Sequence, residues 1–146
     1  MTHTIKELQD VIDTCEFDRW LGLTVEAVSE DSVTLSMPQR REILGTPKVE
    51  RLHGGAVGSL IDAAGCYVLI ARLNRRLSTI SLVVDYLRPA HGTMVALARI
   101  VKLGRRICTT SVEVTGSDGK LVATGRLTVV LSDVEVGQEH KVERIA

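Results

Sequence analysis

The chain has 146 residues, 45% of them hydrophobic, which is enough for one domain with a real core and too few for two comfortable ones. Its 18 basic and 18 acidic side chains cancel, so no overall field attracts nucleic acid or an anionic membrane. We therefore expect a single domain over residues 1–146 that binds neither nucleic acid nor a membrane.

The first third of the chain predicts a short helix followed by a β-hairpin. Apolar residues recur at helical spacing over residues 4–15, which predicts an amphipathic helix. Residues 32–37 alternate between apolar and polar side chains and are stopped by Pro38, which predicts a half-buried strand paired with residues 22–28. The polar stretch 40–52 predicts a long loop, and long loops in compact domains often carry function.

One long helix and four strands account for most of the rest. Residues 55–72 are almost uniformly apolar, which predicts a central helix that is covered on most sides. A charged tail begins after about residue 132. Between them, strand-like segments separated by glycine or proline turns predict strands at 78–87, 93–103, 106–115 and 120–131. This order predicts an α+β fold in which an antiparallel sheet wraps around the long helix.

Asp62 is the only charged residue between His53 and Arg72. Burying an unpaired charge costs several kcal/mol, roughly, so a lone carboxylate in this apolar helix needs an explanation. An ion pair with an arginine of the sheet is the structural explanation. A catalytic carboxylate is the functional one, and we favour it.

The central helix has two faces that differ in side-chain size. Bulky residues at i, i+3, i+4, i+7 and i+11 predict the face that packs into the sheet: Val57, Leu60, Ile61, Ala64 and Val68. The residues three and four positions from Asp62 are all small: Gly58, Ser59, Gly65 and Cys66. A strip of small residues lets another surface approach the backbone closely. We therefore expect a second subunit, a ligand or both beside Asp62.

The sequence His53-Gly54-Gly55 stands at the start of this helix. Its two glycines leave backbone N–H groups unobstructed at the positive end of the helix dipole, which suits a developing oxyanion or a substrate. A tight turn with a hydrogen-bonded His53 is the structural alternative. Asp62 follows about 12 Å along the helix axis. One ligand would reach both groups across a cleft or from two subunits, so the spacing favours a shared site.

Three segments together carry a family resemblance. RLHGGAVGSLIDAAG, STISLVVDYLRPA and SDGKLVATGRLTVVL occur in that order, and the chain resembles the PaaI-type branch of the hotdog-fold acyl-CoA thioesterases over roughly residues 17–132. The resemblance implies a hotdog fold, a long helix wrapped by an antiparallel sheet. It also implies a homodimer or homotetramer with sites at subunit interfaces, and hydrolysis of a medium apolar or aromatic acyl-CoA.

The resemblance implies a catalytic role for four residues. Asp62 corresponds to the family's catalytic carboxylate, which acts as general base on water or as nucleophile on the thioester carbonyl. The Gly54 N–H corresponds to the oxyanion donor, and His53 to the motif histidine beside the thioester. Thr79 falls where relatives carry a Ser or Thr that helps to place the attacking water.

The phosphates of a CoA substrate need cationic partners, although the net charge of the chain is zero. The candidates are Arg88 in the DYLRPA segment and Arg105 and Arg106 at the turn after Gly104. Solvated turn arginines are the structural alternative. Gly55, next to the oxyanion donor, is a further candidate for substrate binding.

One position departs from the family pattern. Relatives commonly place an Asn six residues before the motif histidine, and here that position is Pro47, which has no donor. Gln39, Arg51 or a water replaces it, or the loop runs differently, or activity is reduced. A non-catalytic acyl-CoA-binding sensor on the same fold is therefore the second interpretation. A hotdog dehydratase, which also pairs a histidine with an acid, is the third.

The cysteines favour a reducing compartment. The chain has three, an odd number, and Cys66 and Cys108 lie in apolar runs without a C-x-x-C motif. Residues near the N-terminus are charged and lack the apolar stretch of a signal peptide. We therefore expect a cytoplasmic protein without a metal site, and the chemistry implied by the resemblance requires no cofactor.

Overall fold

The structure is a computed structural model that describes residues 2–138. Its helices are α1 (Ile5–Thr14), α2 (Glu16–Leu21) and α3 (Gly54–Leu73). Its strands are β1 (Thr24–Val28), β2 (Ser32–Met37), β3 (Leu44–Thr46), β4 (Arg51–Leu52), β5 (Arg75–Tyr86), β6 (Met94–Lys102), β7 (Ile107–Thr115) and β8 (Leu121–Glu135).

A six-stranded antiparallel sheet in the order β1-β2-β6-β7-β8-β5 curves around α3. This confirms the α+β hotdog fold and the pairing of the two N-terminal strands. The sheet ends at β1 on one side and at β5 on the other, so β5 has a free edge within residues 2–138. The position of β5 matters for function because it crosses the whole length of α3.

The helix α3 is buried by the sheet as its sequence predicts. All five residues of the predicted bulky face are at most 1% exposed: Val57, Leu60, Ile61, Ala64 and Val68. By length and hydropathy α3 could cross a membrane, but 56% of its apolar window is buried inside the fold. The surrounding sheet therefore accounts for the apolar character of this helix.

The strip of small residues has a different explanation from the one that the sequence suggests. A Cβ on Gly65 would lie 2.6 Å from Leu127 and 2.8 Å from Thr110, so Gly65 faces the sheet of its own chain. A Cβ on Gly58 would lie 3.3 Å from the hydroxyl of Tyr86 in β5. The expectation that these glycines face a second subunit is therefore wrong. They allow the chain's own sheet to approach α3.

The N-terminal region contains the predicted helix and one that the sequence analysis missed. In α1, Thr4 and Glu7 form a capping box, and Leu8 is fully buried. The unpredicted α2 has six residues and ends at Gly22, whose φ of 74° is in the left-handed region. This short helix places Phe17 at the outer side of α3, and Phe17 and residues of α3 line the same cavity.

The predicted loop at 40–52 is shorter and more ordered than expected. The strands β3 and β4 pair antiparallel within it, joined by a 3₁₀ turn at Pro47–Val49. The backbone N–H of Leu52 donates to the carbonyl of Ala90, which fixes the end of β4 just before α3 begins. This small hairpin therefore sets the path of the chain into His53.

Two strand boundaries also differ from prediction. The strand β5 begins at Arg75 and contains a register shift between Thr79 and Ser81, where Ile80 bulges out and is 58% exposed. The strand β8 continues to Glu135, so the predicted charged tail starts inside a strand. The part of that tail at 139–146 lies outside the described residues.

Candidate active site

The N-terminus of α3 keeps one free backbone donor. His53 is the N-cap residue, and its Nδ1 accepts the Gly55 N–H at 2.8 Å. A nitrogen that accepts carries no proton, so the ring of His53 has its hydrogen on Nε2. The cap thus occupies the donor of Gly55, which the sequence analysis placed at the substrate. Across residues 2–138 the Gly54 N–H finds no acceptor, and it remains the donor for a substrate oxygen.

Tyr86 holds the first turn of α3 in place. Its hydroxyl donates to the carbonyl oxygen of Gly54 at 2.6 Å. A Cβ on Gly54 would lie 3.3 Å from the Tyr86 ring, so the ring rests against the glycine. The sequence analysis missed this residue, although Tyr86 lies inside the DYLRPA segment that carries the resemblance. Tyr86 thus anchors the first turn of α3, to which the Gly54 N–H belongs.

A cavity of about 560 Å³ opens beside this donor. Its walls include His53 and Gly54 together with two arginines, Arg51 and Arg88. Arg88 therefore lines the cavity beside Gly54, and its guanidinium donates to the carbonyl oxygen of Leu121 at 2.7 Å. The turn with Arg105 and Arg106 lies elsewhere in the chain, since the Arg105 carbonyl accepts from Arg75 at the opposite end of β5 from Tyr86.

Gln39 and Arg51 are the two side chains that could replace the Asn that relatives commonly carry at position 47. The carbonyl oxygen of the Gln39 amide accepts the Gly92 N–H at 2.6 Å, so Gln39 is engaged on the outer side of the sheet end. Arg51 instead lines the same cavity as Gly54. Of the two side chains considered as substitutes for the missing amide, Arg51 is the one that reaches the site. Residue 47 itself begins the 3₁₀ turn of the hairpin.

Asp62 is half-buried on the outer side of α3 and is held by a side chain of β5. The Thr79 hydroxyl donates to Asp62 Oδ1 at 2.8 Å, and the Cys66 sulfur lies 3.2 Å from the same hydroxyl oxygen. A threonine has one hydroxyl proton, and here it is given to Asp62. The thiol of Cys66 must therefore be the donor to Thr79. The hydrogen bonds therefore run from the Cys66 thiol to the Thr79 hydroxyl, and from that hydroxyl to the Asp62 carboxylate.

Cys66 is not the nucleophile of this site. Burial raises the pKa of the Cys66 thiol to about 12, and the nearby carboxylates of Asp62 and Asp18 act in the same direction. Thiols attack as thiolates, so a thiol that stays protonated near neutral pH is unreactive. Asp62 is therefore the group in this cluster that can activate water or attack a carbonyl.

Asp62 opens onto a second cavity, of about 260 Å³. Gly54 lines the first cavity and Asp62 the second, so one chain holds the two candidate catalytic groups apart. The helix places them eight residues from each other, about 12 Å along its axis. The structure therefore brings Thr79 to Asp62 and Arg88 to Gly54, but does not bring Gly54 to Asp62.

Each half of this arrangement has a definite chemical capacity. An unengaged N–H at a helix N-terminus stabilises negative charge on a carbonyl oxygen. A carboxylate that accepts one hydrogen bond keeps lone pairs free to take a proton or to attack. The two together suffice for acyl transfer to water, provided that they meet on one substrate.

Comparison with known proteins points the same way. The sequence model of the family described as the thioesterase superfamily matches residues 50–123. A protein of Halobacterium salinarum, provisionally named an esterase, is 31% identical in an alignment 105 residues long that covers 68% of this chain and 70% of that one. The medium/long-chain acyl-CoA thioesterase YigI of Salmonella typhimurium is 28% identical in an alignment 131 residues long that covers 79% of this chain and 84% of YigI.

The fold is also similar to solved structures. The PaaI protein from the phenylacetic acid degradation operon of E. coli superimposes with a TM-score of 0.79, covering 90% of this chain and 99% of PaaI. The identity is 18%, so this likeness concerns the fold alone. It agrees with the hotdog fold that the sequence motifs imply.

Proposed function

The chain belongs to the thioesterase superfamily and is a thioester hydrolase, and from that premise we propose that it hydrolyses a medium apolar or aromatic acyl-CoA to the free acid and CoA. The observation that carries the proposal is the Asp62 carboxylate, held by the Thr79 hydroxyl at 2.8 Å on the wall of a cavity. Within residues 2–138 no cation pairs with Asp62, so an ion pair with the sheet does not account for its charge at this position.

The chemistry follows from the two halves of the site. As general base, Asp62 takes a proton from water while the water oxygen attacks the thioester carbonyl. The carbonyl oxygen becomes an oxyanion and accepts the Gly54 N–H. When the tetrahedral intermediate collapses, the carbon–sulfur bond breaks, and the CoA thiolate takes the proton back from the Asp62 carboxyl group.

As nucleophile, Asp62 would instead attack the carbonyl itself and expel the thiolate, and water would then hydrolyse the resulting anhydride. A single turnover in ¹⁸O-labelled water distinguishes the two routes. The anhydride route leaves the label in the Asp62 carboxylate when water attacks its carbonyl carbon, whereas the base route leaves the labelled oxygen in the released acid alone. Mass spectrometry of the peptide that contains Asp62 gives the answer.

We propose that the complete site is shared between two subunits. The free edge of β5 carries exposed apolar side chains at Ile80, Leu82, Val83 and Tyr86. A two-fold axis through Val83 would pair β5 with its copy in antiparallel register. Because the bulge at Ile80 takes up one of the residues between them, Thr79 and Tyr86 are equidistant from Val83, and Thr79 would lie opposite the partner's Tyr86. Asp62 of one subunit would thus approach the partner's Gly54.

Subunit mixing tests the shared site directly. The Asp62→Asn and Gly54→Pro variants are each expected to be inactive alone. After subunit exchange, about half of the dimers are mixed and each mixed dimer contains one intact site, so about a quarter of the wild-type turnover should return. Each variant exchanged with itself is the matched control. Mixtures that stay inactive while co-purification of differently tagged copies confirms exchange would place the whole site within one chain.

The sensor interpretation is supported by Pro47, which stands where relatives of this kind commonly carry an amide. Incubating the wild type with a panel of acyl-CoAs and a thiol reagent separates the two functions. An enzyme releases CoA, and Asp62→Asn abolishes that release. A sensor binds an acyl-CoA tightly, as measured by calorimetry, and releases none.

We propose a homodimer as the smallest active form and a homotetramer in solution. A second exposed apolar surface at Val101, Leu103 and Ile107 supports a further interface beyond the β5 edge. Light scattering at micromolar concentration tests this assembly, and an active monomer would overturn it. We also propose a cytoplasmic location, which suits the three free cysteines.

A further inference from the structure

The cavity beside Asp62 is elongated along α3. Its floor is one helical face that runs from Ser59 to Ile70, about 16 Å of helix axis. The strand β5 contributes Leu77 to one wall, and α2 contributes Phe17. An extended chain fits this shape better than a ring does.

A buried hydrogen bond fixes α2 over this cavity. The Tyr67 hydroxyl donates to Asp18 Oδ2 at 2.6 Å, and the Tyr67 side chain is 6% exposed. Burial raises the pKa of Tyr67, and the bond to Asp18 raises it further, so the phenol remains a donor. Tyr67 lies five residues after Asp62, about 7.5 Å along the axis. The bond therefore places α2 over the part of the cavity that is remote from the carboxylate.

Phe17 is the side chain that α2 presents there. Phe17 immediately precedes Asp18 in the sequence, and both residues line the cavity. The ring of Phe17 stacks on the ring of Trp20, with ring centroids 6.1 Å apart. The Arg40 guanidinium covers Trp20 at 4.7 Å from the ring centroid. Although 53% of Phe17 is exposed, its stacking on Trp20 restrains its position.

We propose that Phe17 sets the acyl-chain length of the substrate, and that the preferred substrate is a straight-chain saturated acyl-CoA. This inference rests on the proposed function. Asp18 and Tyr67, the polar side chains of the remote end, bond to each other, and the other groups there are apolar: Phe17, Ile70 and Leu77. An unsubstituted hydrocarbon chain matches such an end.

The test is a chain-length profile from butyryl-CoA to palmitoyl-CoA for wild type, Phe17→Ala and Phe17→Trp. Truncation lengthens the cavity, so Phe17→Ala should move the optimum to longer chains and raise kcat/KM for palmitoyl-CoA by about tenfold relative to hexanoyl-CoA. Phe17→Trp should move it to shorter chains. Ile5→Ala is the matched control, because Ile5 is 49% exposed on α1 and lies outside the cavity walls.

A second pair of variants tests the support of Phe17. Tyr67→Phe keeps the ring and removes the bond to Asp18, so α2 loosens and the profile should flatten rather than shift. Asp18→Asn keeps an acceptor for the Tyr67 hydroxyl and should retain the wild-type profile. If the bond only stabilises the fold, Tyr67→Phe should lower the melting temperature and leave the chain-length profile unchanged. That result would contradict a role of the bond in specificity.

The outcomes separate the two proposals. If the wild type hydrolyses acyl-CoAs but Phe17→Ala and Phe17→Trp both keep its profile, the role of Phe17 is wrong and the hydrolase stands. A preference for phenylacetyl-CoA over every straight chain would also overturn the inference. If the wild type hydrolyses no acyl-CoA, the proposed function itself falls, and this inference falls with it.

Discussion

The two halves of the proposed site use different chemical groups, a backbone N–H in one half and side chains in the other. The donor half, at His53, Gly54 and Tyr86, uses a backbone N–H whose orientation depends on a cap and on one tyrosine. The carboxylate half, at Asp62 and Thr79, uses side chains that join α3 to β5. The donor half should therefore tolerate a new side chain but not a lost N–H. The carboxylate half should tolerate no change of chemical group, even one that keeps the shape.

The largest expected effect tests the carboxylate half. Asp62→Asn keeps the size of the side chain and an acceptor for the Thr79 hydroxyl, but it removes the base or nucleophile. We expect kcat for acyl-CoA hydrolysis to fall by at least ~10²-fold. Steady-state kinetics alongside thermal melting measures this. A folded variant with near-normal turnover would sink the assignment of Asp62.

The donor half is tested by Gly54→Pro against Gly54→Ala. Gly54 is the first residue of α3, where proline is tolerated, and His53 at ψ 137° has the extended backbone that precedes a proline. Proline removes the N–H, so kcat should fall by about 10²-fold. Alanine keeps the N–H, and its Cβ would lie 3.3 Å from the Tyr86 ring, which must shift slightly, so kcat should fall much less than in the proline variant. Equal losses in both variants would mean that space matters at this position and the N–H does not.

A smaller effect is expected at the link between α3 and β5. Thr79→Val keeps the shape and removes the hydroxyl that donates to Asp62. We expect kcat to fall about tenfold, which corresponds to about 1.4 kcal/mol and is typical of a hydrogen bond to a charged group. Thr79→Ser retains the donor and is the control. If valine and serine behave alike, Thr79 serves packing only.

The arginines should affect substrate binding more weakly. Arg51→Ala and Arg88→Ala remove cations from the cavity beside Gly54, and KM for acyl-CoA should rise about two- to fivefold, less at high salt. Arg105→Ala and Arg106→Ala are the comparison, because that turn lies at the other end of β5. If Arg105→Ala or Arg106→Ala raised KM as much as Arg88→Ala does, a neighbouring subunit would be bringing this turn to the CoA phosphates.

The smallest expected effect concerns residue 47. Pro47→Asn offers a second polar contact to the thioester, and we expect a modest rise in kcat, well below the ~10²-fold of a well-placed donor, because the position lies on a short turn. The measurement is kcat for the same acyl-CoA. A lower kcat in a folded variant would show that the proline sets the hairpin, and would direct attention to Arg51 as the existing donor.

The sequence predicts most of the fold because the relevant signals are local. The period of α3 and the alternation in β2 follow from which face each residue turns to the core, and both segments lie within a residue or two of their predicted bounds. The helix α2 was missed because six residues are too few to establish a helical period. Its contribution to the second cavity therefore came only from the structure.

The site was less predictable because its contacts are distant in sequence. Tyr86 bonds to a residue 32 positions earlier, and Thr79 to one 17 positions earlier. Thr79 was identified through the family resemblance, and Tyr86 not at all. The misinterpretation of Gly65 has the same origin, since a small residue beside a carboxylate does not reveal which surface fills the space.

The bulge at Ile80 has a consequence for insertions and deletions. Thr79 and Tyr86 are seven positions apart, so in a regular strand they would point to opposite faces of the sheet. The extra residue at the bulge shifts the alternation of side chains by one position, so the side chains of both Thr79 and Tyr86 reach α3. Deleting Ile80 would leave a regular strand in which Thr79 and Tyr86 are six positions apart, so both side chains would still reach α3. Deleting a residue between Ser81 and Tyr86 would instead keep the bulge and turn one of the two side chains to the outer face, so the length of this part of β5 is as much a requirement of the proposed site as the residues it carries.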